Sequence, residues 1–131
     1  MKFLLDTHAL LWWLADDDQL GNGAREVVAD PVNDILISMV SLWEIVVKVR
    51  IGKLQADIAE IVDAVQREGF TVLDVGMAHL VTLARLPIHH RDPFDHLLIA
   101  QAMTEEATFM SEDRNAARYP VRTVTCSGRA A

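Results

Sequence analysis

Apolar residues occur along this chain in short bursts, separated by polar residues and turn formers at fairly even intervals. Five bursts read as strands: Lys2 to Leu5, Asp34 to Ser38, Thr71 to Val75, Thr108 to Met110 and Val121 to Val124. Helical patterns fall between them. Ala9 to Leu14 forms the first, with Thr7 or His8 near its cap, and Ser41 to Val49 the second, stopping before Gly52. Asp57-Ile58-Ala59-Glu60 has the spacing of a capping box and opens an amphipathic helix with Ile58, Ile61, Val62 and Val65 on one face. Gly69 is well placed to end it. A short helix follows from Met77 to Ala84. The next has the clearest start, with Asp92 as N-cap and Pro93 at the first helical position, and runs to about Glu106. From Ser127 the pattern vanishes, so residues 127–131 are expected to form a frayed tail.

Strands alternating with helices imply right-handed crossovers and a parallel sheet covered on both faces, an α/β fold. With 131 residues and no repeat or linker, residues 1–131 form one domain around one core. No apolar stretch is long enough to span a bilayer, and Asp6 interrupts the opening run before a signal-peptide core could form. The single cysteine, Cys126, has no internal disulfide partner, which points to a reducing cytoplasm and to a bystander rather than a nucleophile. A net charge of −7 argues against nucleic-acid binding, because phosphate contacts need Lys and Arg. A site that gathers carboxylates around divalent cations escapes that objection, since the bound cations reverse the local sign.

In open parallel sheets, ligands bind beyond the carboxyl ends of the strands, where the strand order reverses. Acidic residues stand at four such places. Asp6 directly follows strand one, and Asp113 lies just beyond strand four, after Ser111. Glu44 falls in the first turn of the helix after strand two. Asp95 is the third residue of the helix opened by Asp92 and Pro93, where the helix dipole favours the ionised form. Each also has a local reading. Ser41-Leu42-Trp43-Glu44 fits a capping box, Asp95 complements its own helix dipole, Asp6 caps the first helix, and Asp113 caps the segment before Tyr119. Taken together, converging carboxylates repel and raise one another's pKa unless a cation intervenes. Oxygen ligands suit Mg²⁺ or Mn²⁺, and the lack of clustered Cys or of a His pair at helical spacing disfavours zinc.

The motifs resemble those of PIN domains of the VapC type, the toxin ribonucleases of type II toxin–antitoxin systems, over nearly the whole chain. Leu4-Leu5-Asp6-Thr7-His8-Ala9-Leu10-Leu11-Trp12 is similar to the first motif and Ser38-Met39-Val40-Ser41-Leu42-Trp43-Glu44-Ile45 to the second. His90-Arg91-Asp92-Pro93-Phe94-Asp95 with Leu98-Ile99-Ala100-Gln101-Ala102, and Met110-Ser111-Glu112-Asp113-Arg114, resemble the last two. The resemblance implies a three-layer fold with a central five-stranded parallel sheet flanked by helices. It implies a catalytic, metal-binding set of Asp6, Glu44, Asp95 and Asp113 holding Mg²⁺ or Mn²⁺, and hydrolysis of RNA to 5′-phosphate and 3′-hydroxyl ends. Ser111 stands where the family supports a metal-bound water. A cognate antitoxin, which in the family commonly inserts a basic residue into the acidic cleft, is the implied partner.

Arg91 and Arg114 flank Asp95 and Asp113 and read either as RNA phosphate contacts or as partners holding those acids. His89, His90 and His96 invite a general-acid reading, against one as partly exposed loop and first-turn residues. Trp12, Trp13 and Trp43 read as core or interface residues; with the apolar helices that carry them, they predict a homodimer. Asp16-Asp17-Asp18 reads as a solvated turn, and four arginines from Ser111 onward make a locally basic segment. Other readings compete: a phosphoacceptor signalling receiver using Asp74, which leaves Asp95 and Asp113 idle; a haloacid-dehalogenase-like phosphatase, which wants an Asp where His8 stands; and a PIN fold kept only as a binding module.

Overall fold

Phe3, Leu4 and Leu5 are all buried, so the strand they form has apolar neighbours on both faces and lies at the centre of a sheet. In the computed structural model, which describes residues 1–127, this strand is β1 (Lys2–Leu5). It pairs on one side with β2 (Asp34–Ser38) and on the other with β4 (Thr108–Met110). Outside these lie β3 (Thr71–Leu73) beside β2 and β5 (Thr123–Val124) beside β4. All pairings are parallel, and the order is β3-β2-β1-β4-β5.

The two-residue period of the strands divides the core. Leu4, Leu36 and Phe109 face one layer, where they meet Leu98, Ile99 and Ala102 of α6 (Pro93–Thr104), and α5 (Met77–Arg85) packs along α6. Phe3, Leu5, Ile35, Ile37 and Met110 face the other. There they meet Leu10 of α1 (Thr7–Leu14), Ala24 and Val28 of α2 (Asn22–Ala29), Ile45 of α3 (Met39–Arg50), and Ile61 and Val65 of α4 (Ile58–Arg67). The result is the expected three-layer α/β fold. Among the described residues no helix is long and apolar enough to cross a membrane.

Several boundaries differ from the sequence reading. The helix α2 was not anticipated: glycines at its N-cap and second position hide the Ala24, Val27, Val28 stripe behind a low mean hydropathy. The Asp16–Asp18 turn is less free than expected, because Arg25 of α2 pairs with the Asp16 carboxylate and donates to the carbonyls of Asp17 and Leu20. The first helix begins at Thr7, two residues early, because Asp6 itself is the N-cap. Helix α3 also begins two residues early, at Met39, because the Ser38 hydroxyl caps it by accepting from the Val40 N–H at 2.9 Å. Strand β3 ends at Leu73, β5 starts at Thr123, and α6 stops at Thr104, shortly before Glu106 turns to φ 56°. Gly69, at φ 74°, ends the α4 segment as expected. Of the expected frayed tail, residues 128–131 lie outside the described residues; Ser127 is in a turn, its hydroxyl 2.6 Å from that of Thr125.

The strand order removes the receiver alternative. Receivers of the flavodoxin-like type have the order 2-1-3-4-5, with strand three beside strand one. Here β3 is an edge strand, and the Asp74 that follows it lies away from the reversal point.

One buried polar chain fastens the carboxyl edge of the sheet to the α5–α6 layer. Ser38 donates to Gln101 Oε1 at 2.5 Å, and the Gln101 amide donates to the Asp74 carbonyl at 3.3 Å. His79 Nδ1 accepts from the Gly76 N–H at 2.9 Å, which leaves Nε2 protonated and facing Glu105 at 2.9 Å. Gln101→Met keeps the volume but strips partners from Ser38 and Asp74. It is expected to cost about 1–3 kcal/mol, read as a lower urea midpoint at unchanged slope; an unchanged midpoint would show the chain to be dispensable.

Candidate active site

From β1 the chain winds outward to β2 and β3, then returns across the sheet to β4 and β5, so the order reverses between β1 and β4. Beyond the carboxyl ends of those two strands lies a cleft of about 310 Å³ lined by Asp6, Thr7, His8, Glu44, Asp92, Asp95, Glu112 and Asp113. A larger cavity of about 480 Å³ at the opposite edge is lined by three acids, Asp30, Asp34 and Glu68, against six in this cleft. All four acids singled out from the sequence meet in the first cleft, and two more, Asp92 and Glu112, join them.

The side-chain environments differ in one decisive respect. Asp6 Oδ1 accepts from the Ala9 N–H at 2.8 Å, so it caps α1 while lining the cleft. Asp92 caps α6 through the Phe94 and Asp95 N–H groups, at 3.0 and 3.2 Å. Asp113 accepts from the Asn115 N–H at 2.9 Å and caps the 3₁₀ turn Arg114–Arg118. Glu112 accepts from the Cys126 N–H at 2.8 Å. Both Glu44 oxygens are engaged, Oε1 by the Thr7 hydroxyl at 2.5 Å and Oε2 by the Lys48 ammonium at 2.8 Å. Asp95 is the exception: among the described residues no group donates a hydrogen bond to its carboxyl.

The consequences follow from burial and charge. Asp95 is pushed up to about 8, first by burial and then by the charges of Asp92, Asp6, Asp113 and Glu44. The helix dipole, expected to favour its ionised form, is outweighed. Burial also raises Asp6, against the opposing effects of the Ala9 N–H and the Ser111 side chain, which lies against its carboxyl. Lys48 is raised mainly by its bond to Glu44. A carboxyl held protonated in so acidic a cleft is where a cation would relieve most repulsion, and the carboxylate oxygens suit a hard divalent metal.

Some sequence readings change here. With α3 starting at Met39, Glu44 lies in its second turn, beyond reach of a capping box. Lys48 was overlooked, although a Glu four residues before a Lys on one helix is a legible pairing signal. Ser111 is buried, and its hydroxyl accepts from the Asp113 N–H at 3.1 Å. Arg91 and Arg114 are exposed and, among the described residues, hold none of the cleft acids, so the partner role assigned to them is not found. His96 is tied to the His90 carbonyl at 2.7 Å, and the His89 N–H donates to the Tyr119 hydroxyl at 3.0 Å. His90 enters the site: His90, Asp95 and Asp113 each present a ligand atom, all within 4.8 Å of one another. Trp12 and Trp13 pack partly buried on the core, whereas Trp43 is exposed and meets Phe94 edge-on at 4.9 Å. Cys126 is buried and its thiol is pushed up to about 12, mainly by burial, which removes it as a nucleophile.

The PIN domain family model matches residues 3–121. The chain belongs to the PIN domain family. Among solved structures it is similar to a chain of VapBC2 from Rickettsia felis bound to a DNA fragment from its promoter, with 18% identity and a TM-score of 0.75 over 95% of this chain and 98% of that one. A chain of DNA-bound VapBC from Salmonella typhimurium gives 16% identity and 0.71 over 96% and 98%. A chain of a toxin–antitoxin complex from Klebsiella pneumoniae gives 16% and 0.64 over 94% and 96%. No curated protein matches by sequence.

The PIN cleft carries a pH signature. The Asp95 carboxyl, near 8 when folded and 3.8 ordinarily, keeps in the fold a proton that the unfolded chain releases. Its contribution to the stability of the metal-free protein is therefore fully present below about pH 4 and is lost as pH rises towards about 8. The difference in urea midpoint between wild type and Asp95→Asn, measured in chelator across that range, should move against the wild type as pH rises. A difference that stays constant, or moves the other way, would contradict the assignment.

Proposed function

We propose that this PIN domain is a divalent-metal-dependent endoribonuclease acting in the cytoplasm as the toxin of a VapBC-like toxin–antitoxin pair. The observation that carries the reading is Asp95, a carboxyl held without a hydrogen-bond donor among five other acids and raised to about 8. A fold that needed only caps and ion pairs would have no use for it. Asp6, Asp95 and Asp113 would hold Mg²⁺ or Mn²⁺, which when bound supplies an activated water and stabilises the charge that develops on a phosphodiester. Glu44, with both oxygens engaged by Thr7 and Lys48, orients and charges the cleft. The Ser111 side chain, against the Asp6 carboxyl, favours its ionised form. Arg91 and Arg114, exposed and unpaired with the acids, suit RNA phosphates.

The similar structures are two DNA-bound VapBC complexes and a toxin–antitoxin complex, which supports a cognate antitoxin as partner, with a basic side chain answering the acids of the cleft. The homodimer expected from the tryptophan-bearing helices finds better support elsewhere, in the exposed apolar row Val72, Val75, Met77, Leu80 and Val81 along β3 and α5. The binding-module reading is disfavoured by the complete carboxylate set.

Two outcomes are expected of the purified protein. Mn²⁺ at about one hundred times its dissociation constant should stabilise it by about 2.7 kcal/mol, and chelator should reverse this. Asp95→Asn should lose most of that gain and at least about a hundredfold of the RNA cleavage rate, roughly 2.7 kcal/mol of barrier. Metal-dependent cleavage by the variant at the wild-type rate would overturn the proposal.

A further inference from the structure

His90 is held from several sides. Its Nδ1 lies 2.8 Å from the hydroxyl of the buried Tyr119, and its carbonyl accepts from His96 Nε2 at 2.7 Å. The His96 ring stands edge-on against the His90 ring at 4.7 Å. The Tyr119 oxygen already accepts from the His89 N–H, and a cation at Nε2 would select the tautomer in which Nδ1–H donates to its second lone pair. That tautomer leaves Nε2 with a bare lone pair. Nε2 is shut off from solvent and, among the described residues, has no hydrogen-bond partner; Asp95 Oδ2 lies 3.5 Å away, within ion-pair reach only of a protonated ring.

A buried nitrogen without a partner is destabilising, and such a group calls for an explanation. A cation supplies one. Ligand bonds of roughly 2.1 Å in an octahedron place neighbouring donors about 3 Å apart and opposite donors about 4.2 Å apart. The His90, Asp95 and Asp113 ligand atoms all lie within 4.8 Å of one another, so a small inward movement of the side chains brings them to that arrangement. A ligating imidazole whose other nitrogen is fixed by a hydrogen bond is the usual construction, and Tyr119 provides that bond here.

We propose that His90 Nε2 is a direct ligand of the divalent cation held by Asp95 and Asp113, which makes the cleft a mixed nitrogen–oxygen site that prefers Mn²⁺ to Mg²⁺. This rests on reading the cleft as a metal centre. Imidazole favours the later divalent metals, whereas Mg²⁺ favours oxygen and water. Loss of His90 therefore weakens Mn²⁺ binding and leaves Mg²⁺ binding nearly intact.

The test is electron spin-echo envelope modulation on the Mn²⁺-loaded full chain, with Mn²⁺ and Mg²⁺ affinities from calorimetry. Wild type should show ¹⁴N modulation from a bound imidazole. His90→Ala should lose it and bind Mn²⁺ about 10–100-fold more weakly, with Mg²⁺ affinity changed less than about threefold. His8→Ala, which alters the imidazole in the cleft lining, should keep the signal. Tyr119→Phe, a milder change should His90→Ala fold poorly, should keep the ¹⁴N signal but lower Mn²⁺ affinity. Bound Mn²⁺ without ¹⁴N modulation, or modulation that survives His90→Ala, overturns the His90 assignment and leaves the metal centre standing. Failure of the wild type to bind Mn²⁺ at all overturns the metal centre itself.

Discussion

Like charges brought within a few ångströms of one another are the constraint around which this fold is arranged. Six carboxyl groups open into one cleft, and five of them are steadied by a donor: a backbone N–H for Asp6, Asp92, Glu112 and Asp113, and a hydroxyl with an ammonium for Glu44. Asp95 has no such donor among the described residues and absorbs the strain as a proton. The repulsion is therefore not spread evenly. It is concentrated on one carboxyl at the mouth of α6, where a cation or the ammonium or guanidinium of a partner would relieve it most.

The topology makes this concentration possible. Parallel pairing of β1 with β4 sets Leu5 beside Met110, so the residues that follow, Asp6 and the Ser111–Asp113 segment, emerge together. The crossover that carries the chain from β3 back to β4 lays α6 over the same edge, and Pro93 with Asp92 fixes where that helix starts. The Ser38–Gln101 bond ties the start of α3 to α6, which keeps Glu44 and Asp95 in a constant relation.

Much of this was legible in the residues, and the remainder was hidden for identifiable reasons. The apolar run of β1 and the Asp92-Pro93 start could be read directly, because each is a local signal with one physical meaning. The convergence of Asp6, Glu44, Asp95 and Asp113 followed from strand ends and helix starts once a parallel sheet was assumed. Local pattern could not show that Ser38, rather than Ser41, caps α3, since both are serines ahead of an apolar stretch; the difference moved Glu44 from cap to cleft. Helix α2 was masked by two glycines. Distant donors for two acids, Thr7 for Glu44 and the Cys126 N–H for Glu112, could not be read locally, and His90 was set apart from its neighbours by its approach to Asp95 and Asp113.

Three of the cleft acids, Asp6, Asp92 and Asp113, are also the N-caps of the segments that follow them. At these positions chemistry and architecture are inherited as a single trait. A copy of this protein released from selection for its activity would still be held to a capping residue there, since an apolar replacement would loosen a helix as well as empty the cleft. Asp95 and Glu44 carry no such double duty. Drift in an idle lineage would erase those two first, so a relative that keeps its aspartate caps but lacks Asp95 or Glu44 records function lost while the fold was still maintained.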